Sequence, residues 1–149
     1  MNSEQITLVQ TSFSDVRPIA ATASGLFYDR LFALDPSLRP LFKGDMTEQG
    51  RMLMSTLSSA VNSLTKLDAL APVLRSLGAR HVTYGVRTEH YETVGSALLW
   101  TLEQGLGEKF TPSVREAWTA AYDLMAGVMQ MGAIEASSGQ SAANSAAPT

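Results

Sequence analysis

The residue best suited to chemistry in this sequence is a histidine that ends an apolar helical face. Leu70, Leu74, Leu77 and His81 recur at steps of four, three and four, which is the spacing of one face of an α-helix. The three leucines predict that this face is buried. A buried imidazole must form a hydrogen bond, pair with a charge or bind a metal, because otherwise it loses its water contacts without replacement. The spacing alone leaves open whether His81 is a hydrogen-bonded core residue or a metal ligand.

Two further polar side chains stand on faces that are otherwise apolar. Gln49 lies one turn before Leu53 on one predicted helix, and Tyr28 follows Phe27 on another. Each has an ordinary explanation, since a first-turn glutamine can face solvent and a tyrosine can bring its hydroxyl to the surface. Tyr28, Gln49 and His81 could also face one another in a folded domain. Spacing alone does not show whether they converge.

Other site chemistries find little support in the sequence. The chain has only two histidines, His81 and His90, and no cysteine, so a zinc site would have to recruit carboxylates such as Glu89 or Glu92. These residues show no recognised ligand spacing. No nucleophile elbow, phosphate-binding loop or dinucleotide-binding glycine motif occurs. Hydrolase and nucleotide-binding functions are therefore not indicated.

The elements that must position these side chains are predicted to be helices. Apolar residues repeat at intervals of three and four along nearly the whole chain, without sustained alternation. Helix starts are predicted at Asn2 or Ser3, after a break at Pro18, at Thr47 and at Thr111, and the helix from Thr47 is predicted to reach about Lys66. We expect an all-α fold of about seven crossed helices packed around a cavity rather than an up-and-down bundle.

The last part of the chain differs from the rest in composition. Residues 134–149 are small and polar and show no helical period, so we expect a single domain over 1–133 followed by a disordered tail over 134–149. The chain of 149 residues is otherwise long enough for one sizeable core.

Charge and composition narrow the class of protein further. The net charge is −3 and no basic stripe occurs, which argues against nucleic acid or an anionic membrane as a partner. The absence of cysteine suits a reducing compartment, and the first residues lack the layout of a signal peptide. No apolar run approaches the roughly 18 residues that would span a bilayer. We therefore expect a soluble cytoplasmic protein.

At this point several motifs, taken in order and with nearly unbroken spacing, resemble a known family. The chain is similar to bacterial single-domain globins, close to the haem domain of flavohaemoglobins, from about residue 3 to residue 131. The motifs that carry this resemblance are Leu26–Phe32, Asp35–Phe42, Gln49 with Arg51, Gly78 with Arg80 and His81, Gly85-Val86, His90-Tyr91, Val94-Gly95, Ala117-Trp118 and Ala121-Tyr122. The resemblance makes the domain over 1–133 a globin domain.

The resemblance also assigns a role to each candidate residue. His81 matches the proximal histidine, which is the protein ligand of the iron of haem b. Tyr28 and Gln49 match the distal pair that hydrogen-bonds a diatomic ligand, and Leu53 matches the apolar residue beside them. The remaining positions match haem-contacting residues, and they are Phe42, Val86, Tyr91 and Val94.

The chain departs from the family pattern on the proximal side. In flavohaemoglobins a glutamate accompanies the tyrosine that matches Tyr91, but the corresponding position here is Ala133 by counting along the last helix. Glu135 lies two residues further on, roughly 200° around a helix of ~3.6 residues per turn, so it does not simply replace that glutamate. Because the missing carboxylate would strengthen electron donation by His81, peroxidase-like or dioxygenase-like reactivity is placed in doubt.

The resemblance implies a haem-binding globin that reversibly binds O₂ and other diatomics such as NO and CO. Two alternatives stay open: a nitric oxide dioxygenase that works with an external reductase, and a globin-fold gas or redox sensor. The sequence stops short of a reductase domain, so we expect any reductase to be a separate partner. We expect a monomer or weak dimer, and whether the protein is an enzyme stays open at this point.

Overall fold

A computed structural model of the chain describes residues 1–83 and 85–146, with side chains described for all of these except 83 and 137–146. Its six α-helices are α1 (Ser3–Val16), α2 (Ala20–Leu34), α3 (Met46–Asn62), α4 (Leu67–Thr83), α5 (Thr88–Leu106) and α6 (Pro112–Ala146). Three short 3-10 helices cover Arg17–Ile19, Pro36–Leu41 and Gly107–Lys109. The described residues contain no strand, so the all-α prediction is confirmed, with a helix count close to seven.

Side chains at the helix starts explain most of the boundaries. Asn2 accepts a hydrogen bond from the Gln5 backbone N–H, and the Gln5 side chain accepts one from the Asn2 N–H, which closes a capping box at the start of α1. At the start of α6, the Val114 backbone N–H donates to the Thr111 hydroxyl, as predicted.

The predicted start and end of α3 were wrong. Its N-cap is Asp45, whose carboxylate accepts from the Thr47 backbone N–H at 2.9 Å, so Thr47 lies inside the helix. A carboxylate accepts this bond more strongly than a hydroxyl and also favours the positive end of the helix dipole. The helix ends at Asn62, four residues before the predicted Lys66.

The core forms where α1, α2, α5 and α6 meet. Trp118 and Phe13 are its largest fully buried side chains, with their rings tilted 6.2 Å apart. The Trp118 indole N–H donates to the buried Ser12 hydroxyl at 2.8 Å, which pairs a polar atom that would otherwise be left unsatisfied in the core.

The helix that carries His81 has a single main neighbour. α4 packs chiefly against α6. Leu70 and Leu74 are buried, whereas Leu77 and His81 are half-buried, so the predicted apolar face opens towards its C-terminal end. The placement of His81 in the fold therefore depends mainly on how α4 lies on α6.

The end of the chain follows the last helix. α6 continues past residue 133 to Ala146, with Ile134 and Glu135 exposed, and residues 147–149 lie outside the described part of the chain. The expected division at 133/134, with a disordered segment after it, stays a prediction. Among the described residues, no helix combines the length and the apolar character that crossing a bilayer requires.

Candidate functional site

Tyr28 lies at the centre of an aromatic group on α2 and the chain that follows it. Its ring meets Phe27 at 5.1 Å and Phe42 at 5.3 Å, both edge-on, and stacks on Phe32 at 6.0 Å between ring centroids. The residue is 6% exposed. The structure therefore places the Tyr28 hydroxyl inside the protein rather than at the surface.

The side chain of Gln49, on the first turn of α3, lies next to the Tyr28 hydroxyl. It forms a hydrogen bond with that hydroxyl. Burial is the larger effect and raises the pKa of Tyr28, while the bond from Gln49 lowers it. Because its pKa is raised, the phenol is neutral at pH 7 and carries a proton that it can donate.

Phe42 contacts the aromatic group around Tyr28, and Leu53 lies on the same helix as Gln49. Phe42 follows the 3-10 helix Pro36–Leu41, and its ring meets Phe32 at 5.5 Å as well as Tyr28. Leu53 lies one turn after Gln49 on α3 and packs, partly buried, against the core. We call Tyr28, Phe42, Gln49 and Leu53 the distal group, after the role predicted for them. Phe32 lies outside this definition but contacts both Tyr28 and Phe42, and only its place in the Leu26–Phe32 motif could have indicated it.

His81 lies near the end of α4, with its ring half-buried and tilted towards Tyr91 at 6.3 Å between ring centroids. Burial, and to a lesser extent the positive charge of Arg80, lowers the pKa of His81 below its ordinary value. The imidazole is therefore neutral at pH 7, and a neutral imidazole has the lone pair that a metal ligand needs.

The corner after α4 is tied to His81 through the backbone. The Val86 N–H donates to the His81 carbonyl at 2.9 Å. Gly85 has a φ of +88°, which favours glycine, and a Cβ there would lie 3.4 Å from a Leu41 methyl group. The corner therefore packs next to the segment that carries Phe42.

The other predicted contact residues lie on α5. Tyr91 is buried, and Val94 packs, partly buried, against the core. Tyr91 is also held by α6, because the Tyr122 hydroxyl donates to its backbone carbonyl. Tyr122 can come this close because a glycine, Gly95, faces it: a Cβ at residue 95 would lie 2.8 Å from its ring. We call His81, Val86, Tyr91 and Val94 the proximal group, after the role predicted for them.

A cavity of about 710 Å³ adjoins the proximal group, lined by residues that include Val86, Tyr91, Gln130 and Ala133. Within the described part of the chain, the buried Tyr91 hydroxyl has no hydrogen-bond partner, and burial raises its pKa. Ala133 lines the same cavity as Tyr91, but its methyl group cannot form a hydrogen bond with the Tyr91 hydroxyl. Glu135 is exposed. Sequence reasoning did not anticipate Gln130 at this cavity.

The second histidine has a structural role. His90 is 5% exposed, and its Nδ1 accepts a hydrogen bond from the Arg87 backbone N–H at 2.9 Å, which caps the start of α5. Among the residues that the structure describes, no three histidine or acidic side chains are grouped in a way that could hold a metal ion.

An all-α fold with an imidazole on one helix, and a buried phenol and a half-buried amide on two others, agrees with the globin-type protein that the sequence predicts. The family model described as Globin matches residues 25–129, and the chain belongs to the globin family. This range includes every residue of the distal and proximal groups.

Curated relatives include flavohaemoglobins and a vertebrate globin. The chain is 28% identical over 130 residues to a Flavohemoprotein of Bacillus subtilis. The aligned region covers 85% of this chain and 32% of that protein. It is 28% identical over 131 residues to a Flavohemoprotein of Vibrio cholerae, which covers 86% of this chain and 33% of that protein. Neuroglobin of Danio rerio is 33% identical over 121 residues, which covers 72% of this chain and 76% of that protein. The chain thus spans about a third of the length of the two Flavohemoproteins.

A solved structure has the same fold. It is an engineered carbene transferase from Rhodothermus marinus that is named as a nitric oxide dioxygenase, with a TM-score of 0.85 and 24% sequence identity. The match covers 95% of this chain and 99% of that one. This structure shows the fold, while the family match and the two Flavohemoproteins support a haem globin.

Proposed function

We propose that this chain binds haem b through His81 and reversibly binds O₂, with NO and CO as further ligands. The observation that carries the proposal is the pairing of Tyr28 with Gln49. A buried neutral phenol beside an amide has one proton that it can donate to an acceptor. Together with a neutral imidazole on α4, it supplies the two polar functions that a diatomic-binding haem pocket needs.

The residues of the chain fit such a group. A haem is planar and largely apolar, so its retention depends on apolar side chains that exclude water. The residues that would hold it are the half-buried His81 as the ligand of the iron, with Phe42, Leu53, Val86, Tyr91 and Val94 as apolar contacts. Bound haem would supply an iron that binds a diatomic ligand.

The distal group would discriminate between ligands. Bound O₂ carries partial negative charge and CO carries little, so a hydrogen-bond donor in a dry pocket favours O₂. Tyr28 would donate to the ligand, and Gln49 would either hold the phenol in place or donate a second hydrogen bond to the ligand. We therefore expect slow release of O₂, with a smaller effect of the same residues on CO.

A second function is favoured by the relatives. One structural neighbour is named as a nitric oxide dioxygenase, and two relatives are named Flavohemoprotein. The chain would then convert NO and O₂ to nitrate, with a separate reductase as its electron source. The unpartnered Tyr91 hydroxyl and Ala133 argue against strong electron donation by His81, so we place O₂ binding first.

An absorption spectrum of the purified chain, oxidised, reduced and under air, tests the proposal. We expect a Soret band in each state and a stable oxygenated form under air. A colourless protein that gains no Soret band on addition of hemin would overturn the proposal. Addition of NO to the oxygenated form then separates the two functions: sustained nitrate production with a reductase indicates the dioxygenase, and a single turnover only indicates the O₂-binding protein.

A further inference from the structure

α4 and α6 cross at two glycines that face each other's backbone. A Cβ at Gly78 would lie 1.8 Å from the carbonyl oxygen of Met129, and a Cβ at Gly132 would lie 2.0 Å from the carbonyl oxygen of Arg75. The arrangement is reciprocal, because each glycine meets the carbonyl that lies three residues before the other glycine. We call these four residues the glycine crossing.

The glycine crossing leaves no room for any side chain at either glycine. A carbon–oxygen distance of 1.8 Å would have to widen to about 3.4 Å, where ordinary van der Waals contact begins. The atoms in the way are backbone atoms of a regular helix, which cannot rotate aside as the end of a side chain can. If alanine replaces either glycine, α4 and α6 must therefore move apart as rigid helices.

The crossing lies next to the imidazole. Gly78 and His81 are three residues apart on α4, so they lie on neighbouring turns of the same side of the helix. α4 packs chiefly against α6, and a helix displaced at its main contact carries its side chains with it. A movement at Gly78 would consequently be passed on to His81.

We propose that Gly78 and Gly132 are positioning residues for His81. The absence of side chains at the crossing sets the separation between α4 and α6, and that separation sets where the His81 imidazole lies relative to the rest of the fold. This inference rests on the proposed function, because it takes haem iron as the partner of His81.

The test compares Gly78→Ala and Gly132→Ala with Gly127→Ala in the full-length haem-loaded chain. Gly127 is a matched control, since it is an exposed glycine of α6 at which an added Cβ would meet nothing within 4 Å. Alanine forms helix better than glycine, so any adverse effect at the crossing comes from the contact and not from helix propensity. The readouts are the iron–histidine stretching band of the reduced protein in resonance Raman spectra, the rate of haem loss and the melting temperature.

We expect both crossing variants to shift the iron–histidine band and to lose haem several-fold faster, while Gly127→Ala matches the wild type. If the melting temperature falls and the band stays in place, the crossing only stabilises the fold and the positioning role is overturned. Failure of both variants to fold would also overturn it, because the crossing would then be a requirement of folding. A wild-type chain without a Soret band would instead overturn the proposed function and this role with it.

Discussion

The replacement of Tyr28 by Phe is the sharpest test of the distal group. Phenylalanine keeps the ring and its contacts with Phe27, Phe32 and Phe42, and removes only the hydroxyl. The packing of the pocket should therefore survive, so that a change in ligand release reports the lost hydrogen bond.

The size of the effect follows from the hydrogen-bond partners. A hydrogen bond to a charged acceptor in a dry pocket contributes about 1.5–3 kcal/mol, which is about tenfold to a hundredfold in the rate of O₂ release. In Tyr28→Phe, the Gln49 amide loses the phenol hydroxyl as its partner and can turn towards the ligand. We therefore expect an increase near the lower end for Tyr28→Phe alone and a larger one for Tyr28→Phe combined with Gln49→Leu.

Stopped-flow displacement of O₂ by excess CO measures this rate. Tyr122→Phe is the matched control, because it removes a phenol hydroxyl that bonds to the Tyr91 carbonyl at the interface of α5 and α6, away from the distal group. An unchanged O₂ release rate in Tyr28→Phe, or an equal increase in the Tyr122→Phe control, would refute the assignment of Tyr28 as the donor.

Three further predictions concern the proximal group and the core. His81→Ala should purify without a Soret band and regain one when free imidazole and hemin are added; haem retained at the wild-type level would exclude His81 as the ligand. The fold lowers the pKa of His81, so the unfolded chain binds a proton at a higher pH than the folded chain does. The free energy of unfolding of the haem-free chain should therefore fall as the pH drops below about 6.5, and the fall should level off below the lowered pKa. Urea midpoints against pH would show this, and a His81→Gln chain with the same profile would contradict it. Ser12→Ala leaves the Trp118 indole N–H unpaired and should cost about 1–3 kcal/mol of unfolding free energy, whereas the exposed Ser14→Ala should stay within about 0.5 kcal/mol.

Several helix boundaries could be predicted from the sequence because they depend on hydrogen bonds between residues close together in the chain. The capping residues Asn2 and Thr111 act through bonds to backbone groups a few residues away, so their types and positions suffice to predict them. The end of α3 was misjudged because Leu64 continues the apolar period and is 1% exposed, although the helix has already ended at Asn62. The turn after α3 is still buried although its helical hydrogen bonds have ended, and an apolar period cannot distinguish a buried turn from a buried helix.

The arrangement of the candidate site was harder to predict from the sequence because its residues lie on different helices. The spacing of Leu70, Leu74 and His81 identified one face of α4, and the resemblance supplied the roles. No local pattern indicated that Gln49 would bond to Tyr28, since this contact depends on how α3 packs against α2. The facing glycines of α4 and α6 were also hidden, because a glycine in a helical stretch looks the same whether it faces solvent or another backbone.

The dependence of α4 on a single neighbour has a consequence for the dynamics of the protein. A helix with one main contact surface can detach while the core around Trp118 stays intact, so its amide protons should exchange at a lower free energy than those of α1. Partial opening of this kind would let the prosthetic group enter and leave a chain that remains folded. Cofactor exchange and global unfolding would then be separate events, each with its own barrier.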